Sequence, residues 1–150
     1  MPGLFCGLVV AIEKYLDTYR QTQPGLTVIF HHDGDISRVS RPVALFCYRM
    51  VQEGLTNIAR HAQAHTVTIG LHVLPSKLTL SVRDDGIGFS ADRAERARLD
   101  NHLGLVSMRE RTDVLNGTFA IDSHPGKGTT LTISLPLYLS EEEELEHSLG

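Results

Sequence analysis

Glu53 and Asn57 stand four residues apart in a stretch of helical periodicity, with Arg60 and His61 one turn further on. At about 100° per residue, Val51, Leu55, Ile58 and Ala62 fall on one side of that helix. Glu53, Asn57, Arg60 and His61 fall on the other. A merely solvated face would also be polar. Asn is a poor helix former, however, so its use in mid-helix asks for a reason beyond solubility. Two side-chain oxygens one turn apart, with positive charge beside them, suit a hydrated magnesium ion and the phosphates that it neutralises.

Three further segments carry chemistry. Asp84-Asp85-Gly86-Ile87-Gly88-Phe89 directly follows an alternating run. Its closely spaced glycines permit positive φ and close backbone approach to a ligand, and a carboxylate at a strand end can accept a hydrogen bond from an exocyclic amine. In His102 to Arg111, Gly104 and Leu105 open a helical run, and helix N-termini bind phosphates through free N–H groups and the helix dipole. Gly126-Lys127-Gly128-Thr129 precedes the last strand-like run. Taken singly, each has a plainer reading as a turn, a loop end or a hairpin. Asp84 to Phe89 lacks the lysine and terminal Ser/Thr of a Walker loop, which excludes a P-loop there.

The elements that must position these residues are legible from periodicity. Leu4 to Arg20 is helical and is broken by Pro24-Gly25, and Leu26 to His31 is a strand followed by a turn over His32 to Asp35. Arg41-Pro42 opens a helix that the pattern carries to about Ala64. Thr66 to Val73 and Leu78 to Val82 alternate and form a hairpin about Pro75-Ser76. The Asp84 to His102 stretch has little apolar periodicity and reads as a mobile loop. Leu103 to Leu115 is helical, capped by Asn116-Gly117, and Thr118 to Ser123 and Thr129 to Leu135 are strands. This order predicts a mixed, mostly antiparallel sheet of about five strands with about three helices on one face. A doubly wound dinucleotide fold would need regular strand–helix alternation, which is missing.

A length of 150 residues and a hydrophobic share of 41% predict one domain with a real core. They exclude disorder, collagen-like repeats and a disulfide scaffold. The net charge of −4 speaks against a nucleic-acid partner. Removing the five carboxylates of Glu141–Glu144 and Glu146 from it leaves a body near +1. Cys6 and Cys47 lie in apolar runs and read as buried free thiols of a reducing compartment. The apolar stretch Gly3 to Ile12 is too short to span a bilayer. A cytoplasmic location without membrane contact by this domain is therefore expected, any anchor belonging to a parent protein.

In order and separation the four segments resemble something specific. Gln52 to Ala62 resembles the N box of the histidine-kinase ATP-binding domain, and Asp84 to Phe89 its first glycine box. His102 to Arg111 resembles the second glycine box and Gly126 to Thr129 the last, so the likeness runs from about Val43 to Pro136. The Gly-Leu-x-x-Met-Arg-Glu-Arg pattern is similar to the NarX-like and DesK-like branch of two-component sensor kinases. The wider superfamily, with DNA gyrase B, Hsp90 and MutL, shares an α/β (α+β) two-layer sandwich, the Bergerat fold, with a mobile ATP lid.

The resemblance implies ATP and Mg2+ as ligands. Asn57 would coordinate the magnesium ion, Glu53 would orient or activate the attacking group, and Arg60 and His61 would lie near the phosphates. Asp84 would bond the adenine amine, with Gly86 and Gly88 letting backbone pack on the base. The lid would span Phe89 to Leu103, with Gly104 at its far hinge and Leu105 beside it, while Gly128 and Thr129 would close the adenine side. His102 and Ser107 stand where this box often carries glycines. The resemblance also implies partners: a dimerisation domain bearing the phospho-acceptor histidine and, indirectly, a response regulator. The first helix has no histidine, so residues 1–139 read as the catalytic domain of a larger kinase, with 140–150 a disordered acidic tail.

Two competing functions are an anti-sigma-factor-type serine kinase of the same superfamily and a nucleotide-binding module without turnover. Met108-Arg109-Glu110-Arg111 speaks against the first, and intact Glu53 and Asn57 against the second. Zinc is disfavoured: His61 and His65 are four apart and His31-His32 adjacent, yet there is no H-E-x-x-H and no cysteine pair.

Overall fold

The computed structural model describes residues 2–89, 92 and 104–137. Its elements are α1 (Pro2–Thr22), β1 (Thr27–Gly34), α2 (Arg41–Asn57), β2 (Thr66–Val73), β3 (Lys77–Asp84), α3 (Leu105–Val114), β4 (Thr118–His124) and β5 (Gly128–Pro136). The strands form one sheet in the order β1-β2-β3-β5-β4. Only the β1–β2 pair is parallel; the others are antiparallel.

Alternation along the strands sorts the two faces of the sheet. Val67, Ile69, Leu71, Leu78, Leu80, Val82, Ile133 and Leu135 point to the buried face. Thr68, His72, Thr79, Ser81, Thr130 and Thr132 make the half-exposed one. Leu8, Ile12, Leu16 and Tyr19 of α1, Cys47, Met50, Val51 and Leu55 of α2, and Leu105 and Met108 of α3 complete the same core. Each fully buried Leu or Ile contributes about 1.5–3 kcal/mol of transfer free energy, so this single layer of contacts holds helices and sheet together. Ser40 starts α2 by accepting the Val43 N–H at 3.4 Å, with Pro42 in the first turn where no N–H is needed. Gly54 brings α2 close over β3, since a Cβ there would lie 3.5 Å from Val82.

Three expectations need correction. The turn expected at His32 to Asp35 is strand as far as Gly34, because β1 stays in register with β2 from Thr27↔Thr66 to Gly34↔Val73. Its polar end is held across the pair by His72 Nδ1 and Asp33 Oδ1 at 3.0 Å. The long helix does not run unbroken to Ala64; α2 ends at Asn57 and a π-helical turn, Ile58–Ala62, follows. The third helix starts at Leu105 rather than Leu103. Apart from Phe89 and Asp92, the expected lid lies outside the described residues, as do the acidic tail and the Cys6 side chain. Cys47 is fully buried, and burial pushes its thiol up to about 12. Among the described residues no helix is long and apolar enough to cross a membrane.

Candidate functional site

The last residue of β3, Asp84, faces Thr129 of β5 in the sheet register. It is buried, at 5% exposure, and its Oδ1 accepts the Gly86 N–H at 2.9 Å. Burial raises its carboxyl above the ordinary value, and the backbone N–H groups of Gly86 and Thr129 pull against that. Taking a carboxylate out of water is costly unless it is hydrogen-bonded. An acidic side chain kept buried on backbone donors is thus equipped to receive the amine of a flat ligand.

The glycines around it are positions of backbone-to-backbone contact. A Cβ on Gly86 would stand 2.1 Å from the Ala62 carbonyl oxygen, which itself accepts the Ile87 N–H at 2.8 Å. Gly88 (φ +62°) and Gly128 (φ +81°) would place a Cβ 2.1 Å from the His124 carbonyl and 2.0 Å from the Asp84 carbonyl, respectively. No L side chain fits either position without moving main chain. The Gly126 N–H donates to the Ile87 carbonyl at 2.7 Å. The structure therefore brings Asp84, Gly86, Gly88, Gly128 and Thr129 into one cradle and ties it to the end of the π-turn.

Ser123 of this cradle carried no recognisable signal in the sequence, and Asp85, though inside the Asp84–Phe89 segment, showed no role of its own there. Ser123, buried in β4, accepts the Phe89 N–H at 2.9 Å and lies 3.1 Å from the Gly128 carbonyl and 2.8 Å from Thr129 Oγ1. Asp85 Oδ1 accepts the N–H groups of Thr66 and His65, each at 2.8 Å. The Thr66 bond is the larger cause that holds the Asp85 carboxyl below its usual range. The two neighbouring aspartates thus have opposite tasks. Asp84 is shifted up at the buried strand end, while Asp85 clamps the chain between the π-turn and β2.

The polar face of α2 stands as the wheel predicted through Asn57, the last residue of the helix, which is half-buried. Glu53 Oε1 meets Arg111 Nη1 at 2.6 Å, joining α2 to α3. With both side chains more than a third exposed, such a pair contributes about 0–1 kcal/mol, so its consequence is orientation of Glu53. Arg60 is exposed on the π-turn, and the His61 side chain lies outside the described residues. Gly104 is the N-cap of α3; Leu105 follows with its side chain buried, so what it offers there is backbone. Among the described residues no three His, Cys, Asp or Glu side chains form a metal-holding group. The amide oxygen of Asn57, with the Glu53 carboxylate one turn away, fits a magnesium ion that keeps several waters and takes its remaining oxygens from phosphates.

Residues 43–139, spanning all four segments, match the histidine kinase-, DNA gyrase B-, and HSP90-like ATPase family. The chain belongs to that family. Among curated relatives of this ATPase domain, the signal transduction histidine-protein kinase/phosphatase DegS of Brevibacillus brevis is 35% identical over 135 residues, covering 90% of this chain and 34% of DegS. The sensor histidine kinase LiaS of Bacillus subtilis is 34% identical over 140 residues, covering 93% of the chain and 37% of LiaS. The chain thus spans about a third of the length of these relatives. The fold is shared with the histidine kinase domain of the Erythrobacter litoralis EL346 blue-light activated histidine kinase (TM-score 0.63, 20% identity, 89% of this chain and 61% of that one). It is shared too with the Acinetobacter baumannii histidine kinase AdeS (TM-score 0.61, 19% identity, 87% and 64%).

Proposed function

We propose that this ATPase-family chain is the ATP-binding catalytic domain of a sensor histidine kinase, working with Mg2+. The observation that carries the reading is Asp84, a buried carboxylate on backbone donors inside a glycine cradle that leaves no room for side chains. Asp84 accepts the adenine amine, and Gly86, Gly88, Gly128 and Thr129 shape the base side. Asn57 holds the magnesium ion, which when bound neutralises phosphate charge. Arg60 and His61 lie toward the phosphates, and the first N–H groups of α3, at Gly104 and Leu105, face the same charge.

The chemistry is transfer of the γ-phosphoryl group to a histidine nitrogen on a dimerisation domain outside these residues. A P–N bond forms as the P–O bond to ADP breaks, and a response regulator receives the group later. Glu53, aligned by Arg111, orients the attacking group. Such transfer needs mostly positioning and charge neutralisation, which these residues supply. A cytoplasmic setting and a domain reaching residue 139 accord with this reading.

Calorimetry on the 150-residue chain with a non-hydrolysable ATP analogue tests it. Saturable, magnesium-dependent binding is expected, and Asn57→Ala should remove the magnesium dependence. Absence of binding in the parent chain refutes the reading.

A further inference from the structure

We propose that Tyr19 is a positioning residue for the metal-dependent half of the nucleotide site, acting through the turn that ends the helix carrying Asn57. The proposal rests on the nucleotide reading above and adds a residue from α1 to it.

In a regular α-helix each carbonyl accepts the N–H four residues later, so the Leu55 carbonyl would be matched to the Ala59 N–H. At this point α2 gives way to the π-turn Ile58–Ala62, whose hydrogen bonds span one residue more. The junction is visible in the Ile58 N–H, which is shared between the Gly54 and Leu55 carbonyls. A carbonyl oxygen has two lone pairs, so one that accepts a shared N–H at such a junction can take a second donor. The Tyr19 hydroxyl brings a further donor, from α1, to that same Leu55 carbonyl, at 2.9 Å in buried surroundings.

Tyr19 is well made for the task. It is 7% exposed, and its ring stacks on Tyr15 with centroids 6.4 Å apart. Burial pushes its phenol up to about 12, with the neighbouring Tyr15 and Asp84 adding to the rise, so the group remains a donor at neutral pH. An extra residue in a helical turn rotates every side chain that follows. The angular position of Arg60 relative to Asn57 therefore depends on the π-turn forming at Ile58 and not elsewhere. Tyr15 provides the contrast: its hydroxyl bonds a side chain of α2, that of Thr56.

The test compares the parent chain with Tyr19→Phe and Tyr15→Phe, all at full length. Affinity for a non-hydrolysable ATP analogue is measured with magnesium and with EDTA, and backbone amide exchange over 58–62 is followed by NMR without ligand. Tyr19→Phe keeps the ring and should weaken magnesium-dependent binding about three- to tenfold, the worth of one buried hydrogen bond. Its EDTA affinity should change by less than about twofold, and the 58–62 amides should exchange faster. Tyr15→Phe should match the parent. Unchanged magnesium affinity with unchanged exchange overturns the proposal, and so does an equal loss with and without magnesium, which would mark Tyr19 as packing alone. A parent chain that binds no nucleotide overturns the functional reading and this role with it, whereas the exchange rates still report whether Tyr19 holds the turn.

Discussion

Replacing Ser123 by alanine removes one oxygen and very little volume, so no cavity term enters. The loss is in hydrogen bonding. The Phe89 N–H, at a residue only 8% exposed, gives up its 2.9 Å acceptor, and Thr129 Oγ1 gives up a neighbour at 2.8 Å. An orphaned buried N–H costs about 1–3 kcal/mol, and about 2 kcal/mol is reasonable here because Thr129 is half-exposed and can turn to water. For a domain of this size each kcal/mol moves the melting midpoint by about 2–4 °C, so Ser123→Ala should melt about 4–8 °C below the parent. Differential scanning calorimetry reads this directly, and Ser123→Thr, which restores a hydroxyl on a strand-compatible side chain, should recover most of it. A drop below about 1 °C, or a Ser123→Thr variant no better than alanine, would refute the claim that this hydroxyl joins Phe89 to the β4–β5 turn.

Other substitutions separate effects that the structure keeps close together. Asp84→Asn should weaken nucleotide binding about 10–100-fold, the worth of a hydrogen bond to a charged acceptor, while leaving the unliganded fold at least as stable at pH 7. A carboxyl raised by burial stabilises the fold below its ordinary value and loses that contribution as pH rises through the folded one. The melting advantage of the variant should therefore shrink as pH falls into the carboxylate range. Gly126 and Gly128 both have positive φ, yet a Cβ at Gly126 meets nothing within 4 Å whereas one at Gly128 meets the Asp84 carbonyl at 2.0 Å. Gly126→Ala should cost about 1–2 kcal/mol in urea unfolding, and Gly128→Ala should cost clearly more and impair nucleotide binding. With its thiol buried and pushed up to about 12, Cys47 should resist alkylation until denaturant unfolds the chain, as mass spectrometry of the labelled peptide would show.

Period-two and period-3.6 patterns carried most of the architecture. β2 begins and ends at Thr66 and Val73 as its alternation predicts, and α2 begins at Arg41 beside its Ser40 cap. Asp84, Gly86, Gly88, Gly128 and Thr129 read singly as turn residues, and they became ligand-facing candidates only through the resemblance of the four segments, in order and separation, to the boxes of the histidine-kinase ATP-binding domain. What escaped had no local signal. The His32–Gly34 end of β1 is polar and turn-like in isolation, and only its ladder with β2 keeps it extended. The Leu55 carbonyl just ahead of the π-turn accepts a hydroxyl from 36 residues away, and Arg111 reaches Glu53 across a separation of 58. Serine in a strand is commonplace, so Ser123 gains meaning only when β4, β5 and the first glycine box lie side by side.

The cradle around Asp84 has a thermodynamic consequence. Its parts are joined to one another by the chain's own main-chain bonds: Ile87 to Ala62, Gly126 to Ile87, Asp85 to Thr66. The conformational entropy of shaping this side of the cleft is lost when the chain folds, and a base bound as proposed would meet a surface held in shape by the fold itself. Small ligands that imitate only the base should therefore bind with little induced ordering. Their affinities should track shape and hydrogen-bond match at Asp84 and be nearly indifferent to substitutions at Asn57.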